Sequence, residues 1–189
     1  MIRCKTKTLV LYYSLSGRTK IVAEAIYAVV EKETEAELSE LKDFTGDQLD
    51  NYDLVFVGAP CHDSDIAKPI KLLLEKIPEN PQFKLACFVT HSCSPPEKGD
   101  YFASLFEQWV GKCSKTMEEV TTSKNINYVG YFRCMGAPSP AIENFIHTSI
   151  ITDEKVFKEY VEDARKHPDE LDIKNAQEFA LKIIKESLS

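Results

Sequence analysis

Residues 14–19 read Ser-Leu-Ser-Gly-Arg-Thr, placing three hydroxyls and one glycine in six positions directly after an apolar run. Ser14, Ser16 and Thr19 can each donate a hydrogen bond to an oxyanion. Gly17 permits a backbone conformation or close approach that a side chain would resist. The residues that follow have helical periodicity, and the unpaired N–H groups at a helix start attract phosphate. The amides of Leu15 and its neighbours would join that cradle, and Arg18 would add positive charge. Taken more plainly, Ser14 or Ser16 caps a helix and the rest is turn chemistry. Two later stretches carry further reactive types: Ala59-Pro60-Cys61-His62-Asp63, and Thr90-His91-Ser92-Cys93. An unperturbed imidazole has a pKa of about 6.5, so His62 or His91 could donate a proton or orient a ligand. Equally, they are ring walls or surface residues. Cys61 and Cys93 could act as redox thiols, or be no more than small loop residues.

These groups need a scaffold. The runs at 8–13, 52–60 and 83–92 are short and continuously apolar, as strands buried on both faces require. Residues 35–41 alternate apolar with acidic and suit a sheet edge; 125–134 reads as the last strand. Helical stripes lie between them: Ile21 to Val30, Ile66 to Ile77 with Pro78 closing it, and Phe102 through Trp109 and Val110 to Cys113. Trp109 is assigned to the core by that stripe. Ala176, Phe179, Ala180, Ile183 and Ile184 stripe a final helix. Five alternations of strand and helix predict an α/β fold, a parallel sheet covered on both sides, over one domain spanning 1–189. Its least regular part is an extended connection around 135–171, with a helix expected at 153–166. In such sheets ligands bind beyond the carboxyl ends of the strands, where the loops after the first, third and fourth strands sit.

Composition narrows the classes. Hydrophobic residues make up 43% and the formal charge is −7, which favours a sizeable core and disfavours nucleic acid or an anionic membrane as partner. No apolar stretch reaches the roughly 20 residues of a membrane span, and the first residues lack a signal-peptide pattern, so the expected location is cytoplasmic. The six cysteines, Cys4 among them, form no close pair, and neither a zinc nor an iron–sulfur site is signalled. The acids Asp43, Asp47, Asp50 and Asp53 read as a solvated loop. His147 and His167 fall outside the expected site.

The loop is not GxxxxGK[ST] and not GxGxxG, which removes the usual triphosphate and dinucleotide fingerprints. The second apolar strand ends in Gly58-Ala59-Pro60 rather than a phosphoacceptor aspartate, and Cys61 has Ala67 where a CxxxxxR phosphatase loop needs arginine. What remains is [ST]-x-[ST]-G-x-[ST], and with it the chain resembles the flavodoxin-like family. "YDLVFVGAP", "YVGYFRCMGAP" and "HPDELDIKNAQEFALKI" are similar to later segments of that family. The resemblance implies a three-layer doubly wound sandwich with strand order 2-1-3-4-5, and an FMN whose phosphate lies on residues 14–19. It places the flavin ring between the loops 59–65 and 90–95, where the family's usual Trp and Tyr are missing. It further implies a redox protein carrying electrons between protein partners. The alternatives are an NAD(P)H-dependent flavin or quinone reductase, in which a homo-oligomer could complete the site, or a flavin-free assembly domain. Residues 135–165 would cover the flavin, form a dimer contact, or be a tolerated insertion.

Overall fold

A computed structural model of the chain describes residues 6–42 and 44–188; Cys4 and Asp43 lie outside the described residues. The first apolar run forms β1 (Lys7–Tyr12), buried from Thr8 onward. The chain crosses through α1 (Arg18–Glu33) to β2 (Glu35–Glu40), whose half-exposed pattern belongs at the sheet edge. It then returns past β1 to β3 (Leu54–His62), a two-residue β4 (Asp65–Ile66) and α2 (Lys68–Glu75). β5 (Lys84–His91), α3 (Asp100–Trp109), α4 (Gly111–Ser123) and β6 (Asn127–Met135) follow. Last come α5 (Pro140–Ser149), α6 (Glu154–Ala164) and α7 (Glu170–Leu188).

The main strands pair in parallel in the order β2-β1-β3-β5-β6. With the short β4 set aside, this is the expected 2-1-3-4-5. The order reverses beside β1, so the loops after β1 and β3 diverge and open a crevice there. Tyr12 pairs with Gly58, and Pro60 with Thr90, which brings the ends of β1, β3 and β5 to one margin.

Two apolar clusters make the sandwich. Val10, Phe56 and Phe88 pack with α1 and α7 residues such as Ile26 and Ile183, while Leu9, Val57 and Cys87 pack with Ile70, Leu74 and Met117 from α2 and α4. A third, smaller cluster joins Met135 at the end of β6 to Ile146, Ile151, Tyr160, Val161 and Ala164. No helix among the described residues is long and apolar enough to cross a membrane.

Three local features differ from the sequence expectations. β3 runs on beyond Pro60 to His62 because β4 folds back on it, pairing Cys61 with Ile66 and His62 with Asp65. The stripe at 102–113 is two helices, broken at Val110 (φ −135°, ψ −28°). Residues 135–171 hold two helices: α6 lies within the expected 153–166, and α5 had not been assigned. Asp47, Asp50 and Asp53 are exposed, and two of them take a structural bond. Asp53 Oδ2 accepts from the Lys7 amide at 2.8 Å and Asp50 Oδ1 from the Gln82 amide at 3.0 Å.

Candidate functional site

Gly17 is the N-cap of α1, at φ 83°, where a side chain would be strained. No side chain caps this helix and its first turn holds no acid, so its amides and the positive end of its dipole are available to an anion. The capping role considered for Ser14 or Ser16 is therefore not taken. The Ser14 hydroxyl oxygen is buried and has no hydrogen-bond partner among the described residues. Thr19 is 1% exposed, and its hydroxyl lies 2.8 Å from that of Thr90. Thr19 thus ties this loop to the end of β5. Among the described residues Arg18 makes no ion pair.

Beside the cradle opens a cleft of about 570 Å³, within the range of small-molecule sites. Of the expected site residues, Leu15, Ser16, Arg18, Pro60, Cys61, His62, Asp63, Thr90, His91, Ser92 and Cys93 line it. Ser14 and Gly17 complete the same loop without lining the cleft; Thr19 and Ala59 are buried beneath. The hairpin between β3 and β4 presents Asp63 and Ser64, both at left-handed φ (50° and 67°), at the cleft wall. Its base is fixed by Asp65, whose carboxylate accepts from Lys71 Nζ at 2.9 Å and from the Ile66 amide at 2.8 Å.

The far wall was not anticipated. Trp109 and Val110, from the break between α3 and α4, and Ile142, Phe145 and Ile146 of α5 line the cleft. Trp109 is half-buried there rather than sealed in the core. Val110 and Cys113 beyond the helix break are buried. Sequence held one usable signal: Ala141, Ile142, Phe145, Ile146 and Ile150 recur at helical spacing. The α5–α6 segment is bound to the β5 loop by the Tyr160 hydroxyl, which donates to the Ser92 carbonyl at 2.6 Å, and by the Gly136 amide, which donates to the His91 carbonyl at 2.8 Å. A side chain at Gly136 would lie 3.1 Å from Arg18 Cβ, so this segment approaches α1 closely.

His91 is 6% exposed, and its Nδ1 has no partner among the described residues. Its ring stands edge-to-face on Phe106, with the centroids 5.1 Å apart, and Phe106 carries the Arg133 guanidinium 4.0 Å above its centroid. Burial, then the Arg133 charge, hold the His91 pKa down to about 3, so the imidazole is neutral at pH 7. Cys61 Sγ donates to the Trp109 carbonyl at 3.2 Å. Its thiol pKa is raised by the neighbouring Cys113 and by burial, while burial pushes that of Cys93 up to about 12. Both are thiols at neutral pH, not the thiolates that nucleophilic or redox exchange requires. His167, Asp169 and Asp172 cluster at the start of α7. Their atoms are engaged there, His167 Nδ1 with Asp172 and the two aspartates with each other's amides.

The chain is matched by known proteins in sequence and in fold. Residues 9–181 fit the model of the flavodoxin domain family. The chain belongs to that family. A curated member, the flavodoxin-like domain-containing protein BilS of Clostridioides difficile, is 32% identical over 180 residues, covering 92% of this chain and 94% of that one. Among solved structures, oxidised flavodoxin 2 from Bacillus cereus superposes with a TM-score of 0.64 at 17% identity, covering 95% of this chain and 99% of that one. A flavodoxin from the domain Archaea gives 0.60 at 16% identity, covering 97% and 99%. At such identities the two structures establish the flavodoxin fold.

Proposed function

We propose that the chain binds FMN and carries electrons between protein partners in the cytoplasm. One observation carries this reading: the Ser14 hydroxyl is buried without a partner in the loop that opens α1, whose uncapped, acid-free end adjoins the cleft. An orphaned hydroxyl and a free helix start are the donor set that a phosphate monoester satisfies. Membership of the flavodoxin domain family supports a flavin as the rest of the ligand. Residues 14–18 would hold the phosphate, and the loops at 59–63 and 90–93 the ring. When bound, FMN supplies one- and two-electron redox chemistry. The chain's share is to bind and orient it, to exclude water with the apolar far wall, and to keep His91 neutral beside it.

A second reading, an NAD(P)H-dependent reductase, is favoured by the roofed, largely apolar cleft, which has the size of a substrate chamber. Titration of the purified protein with FMN, followed by NADPH and then dithionite, separates the two. FMN uptake with bleaching by dithionite alone is expected for the carrier. Rapid bleaching by NADPH supports the reductase, and failure to bind FMN overturns both.

A further inference from the structure

The loops at 59–65 and 90–95 offer two flat side chains, an exposed His62 and a buried His91. The cleft's large aromatic surface comes from elsewhere in the chain. Trp109 is the last residue of α3, and Phe145, 42% exposed, sits midway along α5. Their ring centroids are 5.7 Å apart and their planes meet at 80°. Each is anchored to a strand end that borders the cleft. The Cys61 thiol holds the Trp109 carbonyl, and the Tyr160 hydroxyl holds the α5–α6 segment to Ser92.

We infer that Trp109 and Phe145 form the aromatic wall that receives the flat ring of the bound flavin, an inference that rests on the FMN reading. Two nearly perpendicular rings restrict a planar ligand to two favoured poses, one stacked on each ring. Parallel to one of them, it meets the other edge-on, and both are good aromatic arrangements. An aliphatic wall would impose no such orientation. The apolar neighbours Val110, Ile142 and Ile146 exclude water around the pair. Recognition is thereby divided: residues 14–18 read the phosphate, while Trp109 and Phe145 read the ring. The loops at 59–63 and 90–93 border the same cleft, and Trp109 and Phe145 add to them the aromatic face they lack.

Trp109 is the chain's single tryptophan, which makes the test clean, because an indole in contact with a flavin quenches flavin emission. Flavin-free protein is titrated with FMN and, separately, with lumiflavin, which has the ring and no phosphate. Wild-type protein is expected to quench the emission of both. Trp109→Phe should restore emission severalfold while binding stays nearly unchanged, since a flat ring remains. Phe145→Ala should weaken both ligands together by about tenfold. Ser16→Asp should weaken FMN and spare lumiflavin. Far-UV circular dichroism confirms that each variant is folded. If FMN binds while Trp109→Phe and Phe145→Ala change neither emission nor affinity, the wall is refuted and the FMN reading stands. If wild-type protein takes up neither ligand, the FMN reading fails and the wall with it.

Discussion

A buried hydroxyl without a partner is a standing cost of about 1–3 kcal/mol, and Ser14 carries one. Ser14→Ala should therefore leave the ligand-free protein at least as stable in urea denaturation, and about tenfold weaker for FMN. Joint loss of stability and affinity would assign the hydroxyl to the fold instead. Thr19 is buried against Thr90, so a charge test of this loop that spares the fold belongs at the exposed Ser16. His91 and Asp65 set two pH windows. An unfolded histidine titrates near 6.5, and His91 in its buried place, facing Arg133 and His167, titrates near 3. The unfolded chain then binds more protons as the pH falls, so His91 lowers stability progressively below about pH 6.5. Above that pH it costs nothing. Burial works against the Asp65 charge, but bonds from Thr116, Lys71 and the Ile66 amide outweigh it and depress its pKa. Its stabilisation is present above the unfolded value near 3.9 and is lost as the pH drops through the depressed one. Urea midpoints measured from pH 7 to 4.5 should fall for wild type and flatten in His91→Phe. A parallel decline in both proteins would remove His91 as the cause.

The β3–β4 hairpin turns at the cleft wall on unfavourable residues. Asp63 and Ser64 both take left-handed backbone angles, which cost a non-glycine residue roughly 1 kcal/mol. Ser64→Gly should raise stability by about that amount in chemical denaturation; no gain would mean that the Ser64 side chain compensates locally. Most elements were legible because burial on two faces leaves continuous apolar runs, as in β1, β3 and β5. The turn into α1 was legible from Gly17 and the hydroxyls around it, and a phosphate there belongs to the proposed function. Trp109 was misassigned to the core because one unbroken stripe and two helices joined at Val110 share nearly the same apolar spacing. Only the backbone turn at Val110 moves the indole into the cleft. The extension of β3 past Pro60 was hidden because it depends on β4, two residues with no periodicity to read. α5 was overlooked beside the stronger pattern of α6, although its own stripe is present.

For the whole molecule, the cleft gathers residues from the β1, β3 and β5 loops, the α3–α4 junction and α5. A ligand seated there binds the folded chain alone. At about 100 times its dissociation constant it adds about 2.7 kcal/mol, or a rise of roughly 5–10 °C in Tm for a chain of this size. Thermal scans with and without FMN should show that rise, and an unchanged Tm would deny the cofactor this site. The sandwich rests on two large clusters, whereas α5 and α6 rest on the small one around Met135 and Tyr160. Amide exchange should therefore be fastest among the helices in α5 and α6, and uniform exchange would show that they open only with the rest. The small cluster gives the molecule a clock as well as a wall. Were a ligand seated against α5, loosening the packing around Tyr160 would speed its release. Release would then depend on residues such as Tyr160 and Val161, which do not line the cleft.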